Sequence, residues 1–486
     1  MPLRTVFACL ACATALPLRG RAQQPLTLQE AVALAKERGL DAQAARAARD
    51  AGRYRYQAFR GRLLPQLSLG GLGLPTYTYN RSVVPVVQPD GSTLFRYQDQ
   101  TNAGMSLTLS QKLPVTGGDL FVSSSLARVA ITGTPGIQTW SSTPVVVGLQ
   151  QDLLRPNVAG WDRREQAVRT ELNERTYREA MEAVALGTTG RFFDMYAARV
   201  ALDNAVKNAA VNDTLYRLNT GRFDVGKIGE NDLLQSELAL LRARSALDAA
   251  RLEYERSTAA LRLALNLPAD APLDVAATAS VPTLEVDTAR AVAEALRNRA
   301  VVSDVELQDV LAQRHLTEAK LLRGIGATLS ASVGFNATAP QAGLAYQNLL
   351  QQRQFAMSVQ IPLWQWGAHA ADVQAAEADR DGVASQSRAR LAQTAHDAHY
   401  AALELLRAAR TVALLAKADT VAAKRFEVAY NRYVIGRITL DNLYIGQSEK
   451  DQALMQFVNG LRDYWGSYYR LRQVTLFDFV TGQAIR

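Results

Sequence analysis

Cysteine is nearly absent from this 486-residue sequence, which has only Cys9 and Cys12. Both lie in residues 1–22, a segment with the features of a secretory signal: a charged start at Arg4, a short apolar run, and small residues before a cleavage position at Gln23. The mature chain would then contain no cysteine, which excludes a disulfide framework, thiolate metal sites and a thiol nucleophile. A buried first helix and a lipid-modified Cys12 are the alternative interpretations.

Long hydrophobic runs are missing after residue 22, so the sequence predicts no transmembrane helix. If the chain crosses a membrane, it must do so as a closed β-barrel, because lipid cannot satisfy the backbone of an open sheet edge. The net charge of +8 comes from basic residues scattered among acidic ones without interleaved aromatics. That pattern is typical of solvated helix surfaces and predicts no nucleic-acid partner.

Histidine is also scarce, and no cluster of polar residues predicts catalysis. His396 and His399 share a helix face, but no third metal ligand is evident, and two solvated positions on a helix explain them better. The sequence has no phosphate-binding loop, nucleophile elbow or cysteine cluster. It therefore predicts no enzymatic activity, no cofactor and no metal site.

What the sequence does contain is a repeat. Residues 222–233 (RFDVGKIGENDL) recur as residues 432–443 (RYVIGRITLDNL), and residues 150–153 align with 360–363 at the same offset. A tandem repeat this long predicts a duplicated structural unit. The predicted organisation is a first repeat at 23–265, a proline-containing linker at 266–287 and a second repeat at 288–480.

Each repeat is predicted to begin with one helix and to end with a long helix pair. The first helices span 28–62 and 289–322, where apolar residues recur at helical spacing. The long pairs span 162–265 and 372–474, and their apolar positions fall near a coiled-coil seam.

Strands are predicted between these helices, at about 67–153 and 327–363. Strict alternation over 106–110 and 358–361 favours strands with lipid on one face and water on the other. The predicted strands are 67–79, 103–113, 120–132 and 145–153 in the first repeat, and 327–337 and 355–363 in the second. Residues 80–100 and 133–144, which contain proline and glycine, predict long exposed loops.

The repeated turns are the main candidate site. Glycine at 226 and 436 permits the positive φ of a tight helix–turn–helix reversal. Each glycine is flanked by an aromatic residue and basic residues, and a carboxylate or amide early in the next helix can cap free N–H groups. The candidate residues are Arg222, Phe223, Gly226, Lys227 and Asp232 in the first turn, and Arg432, Tyr433, Gly436, Arg437 and Asn442 in the second. The alternative is that these turns merely end helices.

Three tryptophans lie near the predicted joints between strands and helices: Trp161, Trp364 and Trp366. Tryptophan is enriched at the boundary between water and lipid, which predicts a membrane interface here. A packing corner between strand and helix is the alternative.

In this order and spacing, the chain resembles the TolC-type outer-membrane channel proteins of efflux pumps and type I secretion systems. The resemblance covers residues 26–480 and is carried by the duplicated turn, the helix end 63–68 (LLPQLS) and the strand end 360–364 (QIPLW). Gly229 departs from it, because serine or threonine is usual at that position of the turn.

The resemblance implies a mainly α fold with a β-barrel part: a homotrimer whose outer-membrane β-barrel continues as a long periplasmic α-helical coiled-coil barrel. It implies a passive conduit, in a tripartite efflux pump or a type I secretion system, for drugs and other small molecules or for exported polypeptide. The partners would be an inner-membrane transporter and a periplasmic adaptor (membrane fusion) protein, with most of the chain in the periplasm. A periplasmic coiled-coil adaptor without a pore is the alternative function.

The resemblance also implies roles for particular residues. The two turns would dock the adaptor, and Asp419 is a candidate for the entrance constriction, with an ordinary exposed helix carboxylate as the alternative. The family usually has four strands per subunit, whereas six are predicted here. A trimer would then close an eighteen-strand barrel; the alternative is an ornate loop on a twelve-strand barrel.

Overall fold

The computed structural model describes residues 25–71, 78–132, 136–277, 281–282 and 284–485. The predicted signal segment, with both cysteines, lies outside these ranges. None of the helices in the described ranges combines the length and hydrophobicity needed to span a membrane.

Eight α-helices follow one another along the described chain, in two series of similar lengths. The lengths are 11, 23, 67 and 35 residues in the first series and 11, 23, 67 and 36 in the second. The helices are α1 (Leu28–Arg38), α2 (Leu40–Arg62), α3 (Val158–Asp224), α4 (Glu230–Ala264), α5 (Thr288–Asn298), α6 (Ala300–Leu322), α7 (Ala368–Val434) and α8 (Leu440–Thr475).

The predicted single helices at 28–62 and 289–322 are wrong, because each is broken at one residue. Gly39 and Arg299 have extended ψ angles of 145° and 149° and end α1 and α5. The N–H of Gly39 still donates to the carbonyl of Ala35 at 2.9 Å. A break of one residue barely disturbs the spacing of apolar residues, so periodicity alone does not reveal it.

Seven strands of the described chain form one antiparallel sheet. They are β1 (Gln66–Gly70), β2 (Thr78–Val87), β3 (Thr93–Lys112), β4 (Asp119–Thr132), β5 (Ile137–Leu153), β6 (Gly326–Ala339) and β7 (Leu350–Gln360). Because β1 and β2 pair with successive parts of the same side of β3, the sheet is six strands wide. Its edges in the described chain are β1 with β2 on one side and β7 on the other. A short hairpin, β8 (Phe477–Asp478) and β9 (Gln483–Ala484), follows α8.

Residues 80–100, predicted as a loop, instead form most of the β2–β3 hairpin. Its turn is short: the N–H of Gln88 donates to the carbonyl of Ser92 at 2.8 Å, and that of Gly91 donates to the carbonyl of Gln88 at 3.0 Å. Pro85 is the misleading signal in this segment. Pro85 lies on an edge strand, where the missing N–H costs no ladder hydrogen bond.

The second predicted loop, 133–144, is also wrong over most of its length, because β5 covers it from Ile137 onwards. Pro144 was the misleading signal. It lies at the register shift within the β5–β6 pairing, where a bulge accommodates a residue that cannot donate to the ladder.

The structure divides into two compact units. Within the described ranges, the helical unit comprises the chain up to Ala44, Met181–Val286 and Ala401–Gln473; the sheet unit comprises Ala45–Ala180, Asp287–Tyr400 and the chain from Val474 onwards. The interior of the helical unit is built from fully buried large side chains: Phe192, Phe193, Met195, Leu405, Leu461 and Tyr464. In this unit the predicted linker also pairs with the segment before α1, through a parallel bridge between Leu26 and Val275.

Among the described residues of the helical unit, one carboxylate is fully buried. Glu182 on α3 is ion-paired with Lys36 on α1 and with Arg472 on α8, whose Nε lies 3.0 Å from Oε2. Two cations compensate the desolvation of one buried anion. One buried carboxylate on α3 is therefore ion-paired with both α1 and α8.

Candidate functional site

The first turn (residues 222–233) closes α3 with two backbone hydrogen bonds. The N–H of Gly226 donates to the carbonyl of Phe223, and the N–H of Lys227 donates to that of Arg222, both at 2.8 Å. Gly226 has a φ of 70°, as predicted. This pair of bonds satisfies carbonyls that the helix end would otherwise leave open. Val225 is 66% exposed beside the glycine.

The second turn (residues 432–443) repeats this geometry at the end of α7. The N–H groups of Gly436 and Arg437 donate to the carbonyls of Tyr433 and Arg432, both at 2.9 Å, and the φ of Gly436 is 74°. Ile435 is 63% exposed, matching Val225. Each turn thus presents an exposed branched aliphatic side chain, a glycine and then an exposed cation, Lys227 or Arg437.

Two of the candidate residues hold the turns together. Arg222 donates from Nη2 to the carbonyl of Val434 at 2.8 Å, and its guanidinium carbon lies 5.2 Å from the centre of the Tyr433 ring. Tyr433 is 5% exposed, and its hydroxyl donates to Oδ1 of Asn219 at 2.6 Å. Buried Leu215, Leu440 and Leu443 complete the cluster around the ring. The Tyr433 side chain is therefore interior and positions the second turn.

The caps predicted at the starts of α4 and α8 take a different form. Gly229 precedes α4 without any side-chain cap, and Asp232 is half-buried in the first turn of that helix. Asn442 donates from Nδ2 to Oγ1 of Thr439 at 3.0 Å rather than accepting from a backbone N–H. Asp441 accepts from Nε2 of Gln235 at 2.6 Å, which links α8 to α4.

Asp419 is half-buried on α7. Burial raises the pKa of its carboxyl above the ordinary value, and nearby Lys450 opposes that rise. Lys450 is itself 3.1 Å from Oδ1 of Asp451. Burial therefore outweighs the attraction of the ammonium, and the charged carboxylate is disfavoured at this position.

Asp419→Asn is expected to raise the thermal midpoint slightly at neutral pH. A carboxyl whose folded pKa is raised favours folding only below its unfolded pKa, and this contribution is lost as the pH rises through the folded pKa. Above the folded pKa of Asp419, the thermal midpoint of the variant should therefore exceed that of wild type. The difference should vanish near pH 4, about the pKa of the carboxyl in the unfolded chain. Thermal unfolding from pH 4 to 8 measures this. An advantage that grows towards acid pH would contradict it.

Sequence reasoning missed a groove lined by α3, α4 and α8, with a volume of about 830 Å³ and both polar and apolar side chains in its wall. On one side, the carboxylate of Asp451 accepts from Nδ2 of Asn204 at 2.8 Å and of Asn208 at 2.7 Å. Oδ1 of Asn212 and the hydroxyl of Tyr444, which also line it, are buried without a hydrogen-bond partner among the described residues. Burial raises the pKa of Tyr444 to about 12, so the hydroxyl stays protonated.

The signal for this groove was present in the sequence. Asn204, Asn208 and Asn212 recur every four residues and so lie on one face of an alanine-rich helix. Most of the other lining residues are alanines and glutamines. Small and amide side chains of this kind permit close approach of another helix and offer it hydrogen bonds.

The three predicted interface tryptophans lie at joints in the sheet unit. Trp364 and Trp366, between β7 and α7, are 74% and 88% exposed, with ring centres 5.1 Å apart. Trp161 lies in the first turn of α3, with the guanidinium carbon of Arg164 5.1 Å from its ring. Trp140, missed because its segment was predicted as a loop, lies on β5 opposite Ala339.

One face of the sheet is mainly apolar. A row of direct cross-strand neighbours runs through Leu67, Leu109, Val122, Val147 and Val333 and ends at Arg353 on the edge strand β7. Parallel rows on the same face add further apolar side chains: Leu69, Leu107, Met105, Leu120, Leu149, Leu329, Phe335, Phe355, Met357 and Val359. In one chain many of these residues remain exposed, which marks a surface that is covered by another phase or molecule.

The opposite face of the sheet is mainly polar. Ser68, Thr108 and Ser123 form one row of cross-strand neighbours on it. Further polar residues on this face are Ser106, Ser110, Gln150, Thr328, Ser330, Ser332, Gln354 and Ser358. Alternation that puts lipid-compatible side chains on one face and hydroxyl or amide groups on the other is the pattern of a sheet between lipid and water.

No protein-family model and no curated protein matches the sequence. Solved structures do match over nearly the whole chain. The CmeC outer-membrane channel of Campylobacter jejuni has 15% identity and a TM-score of 0.66, covering 100% of this chain and 95% of that one. VceC, an outer-membrane protein of Vibrio cholerae, has 14% identity and a TM-score of 0.64, with 93% and 96% covered.

A third match is the open state of the MtrE outer-membrane channel of Neisseria gonorrhoeae, with 15% identity, a TM-score of 0.61 and coverage of 94% and 89%. All three are similar to this chain in fold at low sequence identity. The chain therefore has the fold of the TolC-type outer-membrane channel proteins.

Proposed function

We propose that this chain is the outer-membrane channel subunit of an efflux system: a homotrimer that conducts small molecules passively to the exterior. The observation that carries the proposal is the single sheet, apolar on one face and polar on the other, with two unpaired edges. Lipid cannot satisfy such edges, whereas pairing with further copies closes the sheet into a barrel. The likeness in fold to outer-membrane channels supports the same role.

In this proposal the sheet lies in the outer membrane, and the helices project into the periplasm. The polar face of the sheet lines the lumen, and the apolar face contacts lipid. The halves 23–265 and 288–480 are structural repeats joined by the linker 266–287, which the recurring helix lengths support. Six strands from each of three copies would close an eighteen-strand barrel.

The two turns are proposed to dock a periplasmic adaptor that connects the channel to an inner-membrane transporter. Each turn presents an exposed aliphatic side chain next to an exposed cation: Val225 with Lys227, and Ile435 with Arg437. A partner with an apolar side chain beside a carboxylate would fit both. Arg222 and Tyr433 position the turns, and the groove on α3, α4 and α8 offers a second surface to the same partner.

A matched pair of lysine substitutions tests the membrane placement. Val333 and Ser332 are consecutive on β6 and lie on the apolar and the polar face. Val333→Lys should reduce assembly in the outer membrane, at a cost of about 2–4 kcal/mol if it lies near the middle of the bilayer, whereas Ser332→Lys should assemble normally. Detergent-extracted trimers and their conductance in planar bilayers are the readouts. Equal assembly of the two variants would contradict the placement.

The same preparation separates this function from a pore-free coiled-coil adaptor. A channel requires detergent to remain in solution and conducts ions in a bilayer. A natively folded monomer that stays monodisperse without detergent would refute the proposal.

Charge reversal tests the docking role of the turns. Arg432→Glu with Arg437→Glu should weaken capture of the cognate adaptor several-fold, because exposed interface charges contribute mainly through attraction and association rate. Lys424→Glu is the control, since Lys424 is an exposed cation of α7 that precedes the turn. Pull-down at two salt concentrations is the measurement. Unchanged capture by the double variant would remove these cations from the site.

A further inference from the structure

We propose that the outer part of the β2–β3 hairpin, residues 82–98 (the outer hairpin), docks against the β6–β7 connection, residues 340–349, of a neighbouring copy. The contact would form a collar at the end of the sheet opposite its joints with the helices. This inference rests on the proposed function, because it requires that copies of the chain close the sheet side by side.

The outer hairpin extends past the rest of the sheet. β4 pairs with β3 only as far as the pair Thr132 and Asp99, so residues 93–98 have β2 as their one strand partner in the described chain. A two-stranded ribbon is marginally stable by itself in water. An additional contact is therefore expected to hold it.

The side chains of the outer hairpin indicate where that contact lies. Val83, Val87, Phe95 and Tyr97 are 54%, 72%, 68% and 77% exposed. The cross-strand pairing places all four on the apolar face of the sheet. Four exposed apolar side chains together on one face indicate a surface that contacts another apolar group.

The base of the outer hairpin is fixed in line with the sheet. Arg81 donates to both oxygens of Asp99, from Nε at 2.7 Å and from Nη2 at 3.0 Å, and the hydroxyl of Tyr79 donates to Oδ1 at 3.0 Å. A bidentate pair of this kind restrains orientation as well as distance. The apolar patch is therefore held in a set direction.

The β6–β7 connection presents a complementary patch at the same end of the sheet. Its 3₁₀ turn, Leu344–Tyr346, is anchored by the hydroxyl of Ser142, which donates to the carbonyl of buried Ala345. Ser142 lies on the apolar face, opposite Leu126 and Ala337, so the connection covers that face. Exposed apolar side chains remain on and beside it: Leu344, Tyr346, Leu349 and Leu350.

Within one chain these two patches lie at opposite edges of the sheet, with β4 and β5 and parts of β3 and β6 between them. The β1–β2 edge and the β7 edge run in opposite directions, because an even number of antiparallel strands separates them in a six-strand sheet. One edge of a copy can therefore pair with the other edge of the next copy without breaking the antiparallel order. A second copy of this chain is the partner that these edges fit.

The lengths of the two edges place the patches side by side. Gln66 and Gln360 both lie at the end of the sheet that leads into helices. From there, the β1–β2 edge follows β3 from Ser110 to Thr93, whereas β7 has 11 residues. When the edges pair with these ends level, the outer hairpin extends past Leu350 and reaches the connection of the next copy.

Engineered disulfides test the contact, because the chain has no cysteine after residue 22. Val83→Cys with Leu349→Cys should give covalently linked dimers and trimers after oxidation in the membrane, on denaturing gels. Val84→Cys with Leu349→Cys is the matched control, since Val84 lies next along β2 on the opposite face. Equal linking by both pairs would overturn the inference. Linking by the single variant Val83→Cys would also overturn it, because the outer hairpins of neighbouring copies would then contact each other instead of the connection.

A second measurement does not depend on disulfide geometry. Phe95→Ser with Tyr97→Ser should lower the temperature at which the oligomer dissociates in detergent, whereas Leu94→Ser, on the opposite face, should not. Unchanged dissociation would overturn the collar. If no disulfide forms but the oligomer persists and conducts, the collar is wrong and the proposed function stands. If only monomer is recovered, the proposed function fails and the collar fails with it.

Discussion

Gly436→Pro is expected to abolish transport while leaving the assembled protein intact. Gly436 has a φ of 74°, and its N–H donates to the carbonyl of Tyr433 at 2.9 Å. Proline holds φ near −65° and has no N–H. The backbone of the second turn must therefore adopt a different conformation, and the hydrogen bond to the carbonyl of Tyr433 is lost. Because no other atoms crowd this glycine, the effect should stay local to the turn. Efflux in a channel-deficient strain, with native gels for assembly, measures both parts.

Gly482→Pro is the matched control. Gly482 also has a positive φ, 70°, and its N–H donates to the carbonyl of Asp478 at 2.8 Å, but it lies in the β8–β9 hairpin. Gly436→Ala provides a graded variant, since a left-handed alanine costs about 1–2 kcal/mol. Full transport by Gly436→Pro would contradict a docking role for the second turn. Loss of assembly would show that the turn serves stability instead.

Glu182→Ala is expected to destabilise the helical unit by about 3–5 kcal/mol, the usual cost of removing one partner from a buried ion pair. The carboxylate is fully buried between Lys36 and Arg472, and its removal leaves these two half-buried cations near each other. Denaturant unfolding of the detergent-solubilised protein, followed by circular dichroism, measures the loss.

Glu427→Ala is the control for this substitution. Glu427 pairs with Lys424 on the surface of α7, where both side chains are more than half exposed, so its removal should change stability by about 0.5 kcal/mol or less. Similar losses of stability in the two variants would show that the burial of Glu182 does not increase its contribution to stability.

Local chemistry made some of the structure predictable. The positive φ of Gly226 and Gly436 followed from glycine at a helix end, and the structure confirms both. Thr27 followed three residues later by Glu30 is the sequence motif of a capping box, and this box forms at the start of α1. These features depend on atoms a few residues apart, so the sequence around them specifies them.

Features that depend on distant partners were not predictable. Tyr433 is a docking candidate by sequence, but it is buried because its hydroxyl meets Asn219 on another helix. The groove around Asp451 likewise requires α3 and α8 to be adjacent. Pro85 and Pro144 misled because a proline in a strand has the same local signature as one in a loop, and only the edge or the bulge distinguishes them.

The position of Glu182 has a consequence for biogenesis. Lys36 precedes it in synthesis, whereas Arg472 belongs to the last helix, so the anion lacks one of its two cations until α8 has been made. Closing a contact over so long a stretch of chain is slow. We expect the helical unit to remain loosely folded until α8 has been synthesised. A loosely folded polypeptide would still be able to pass through a secretion pore.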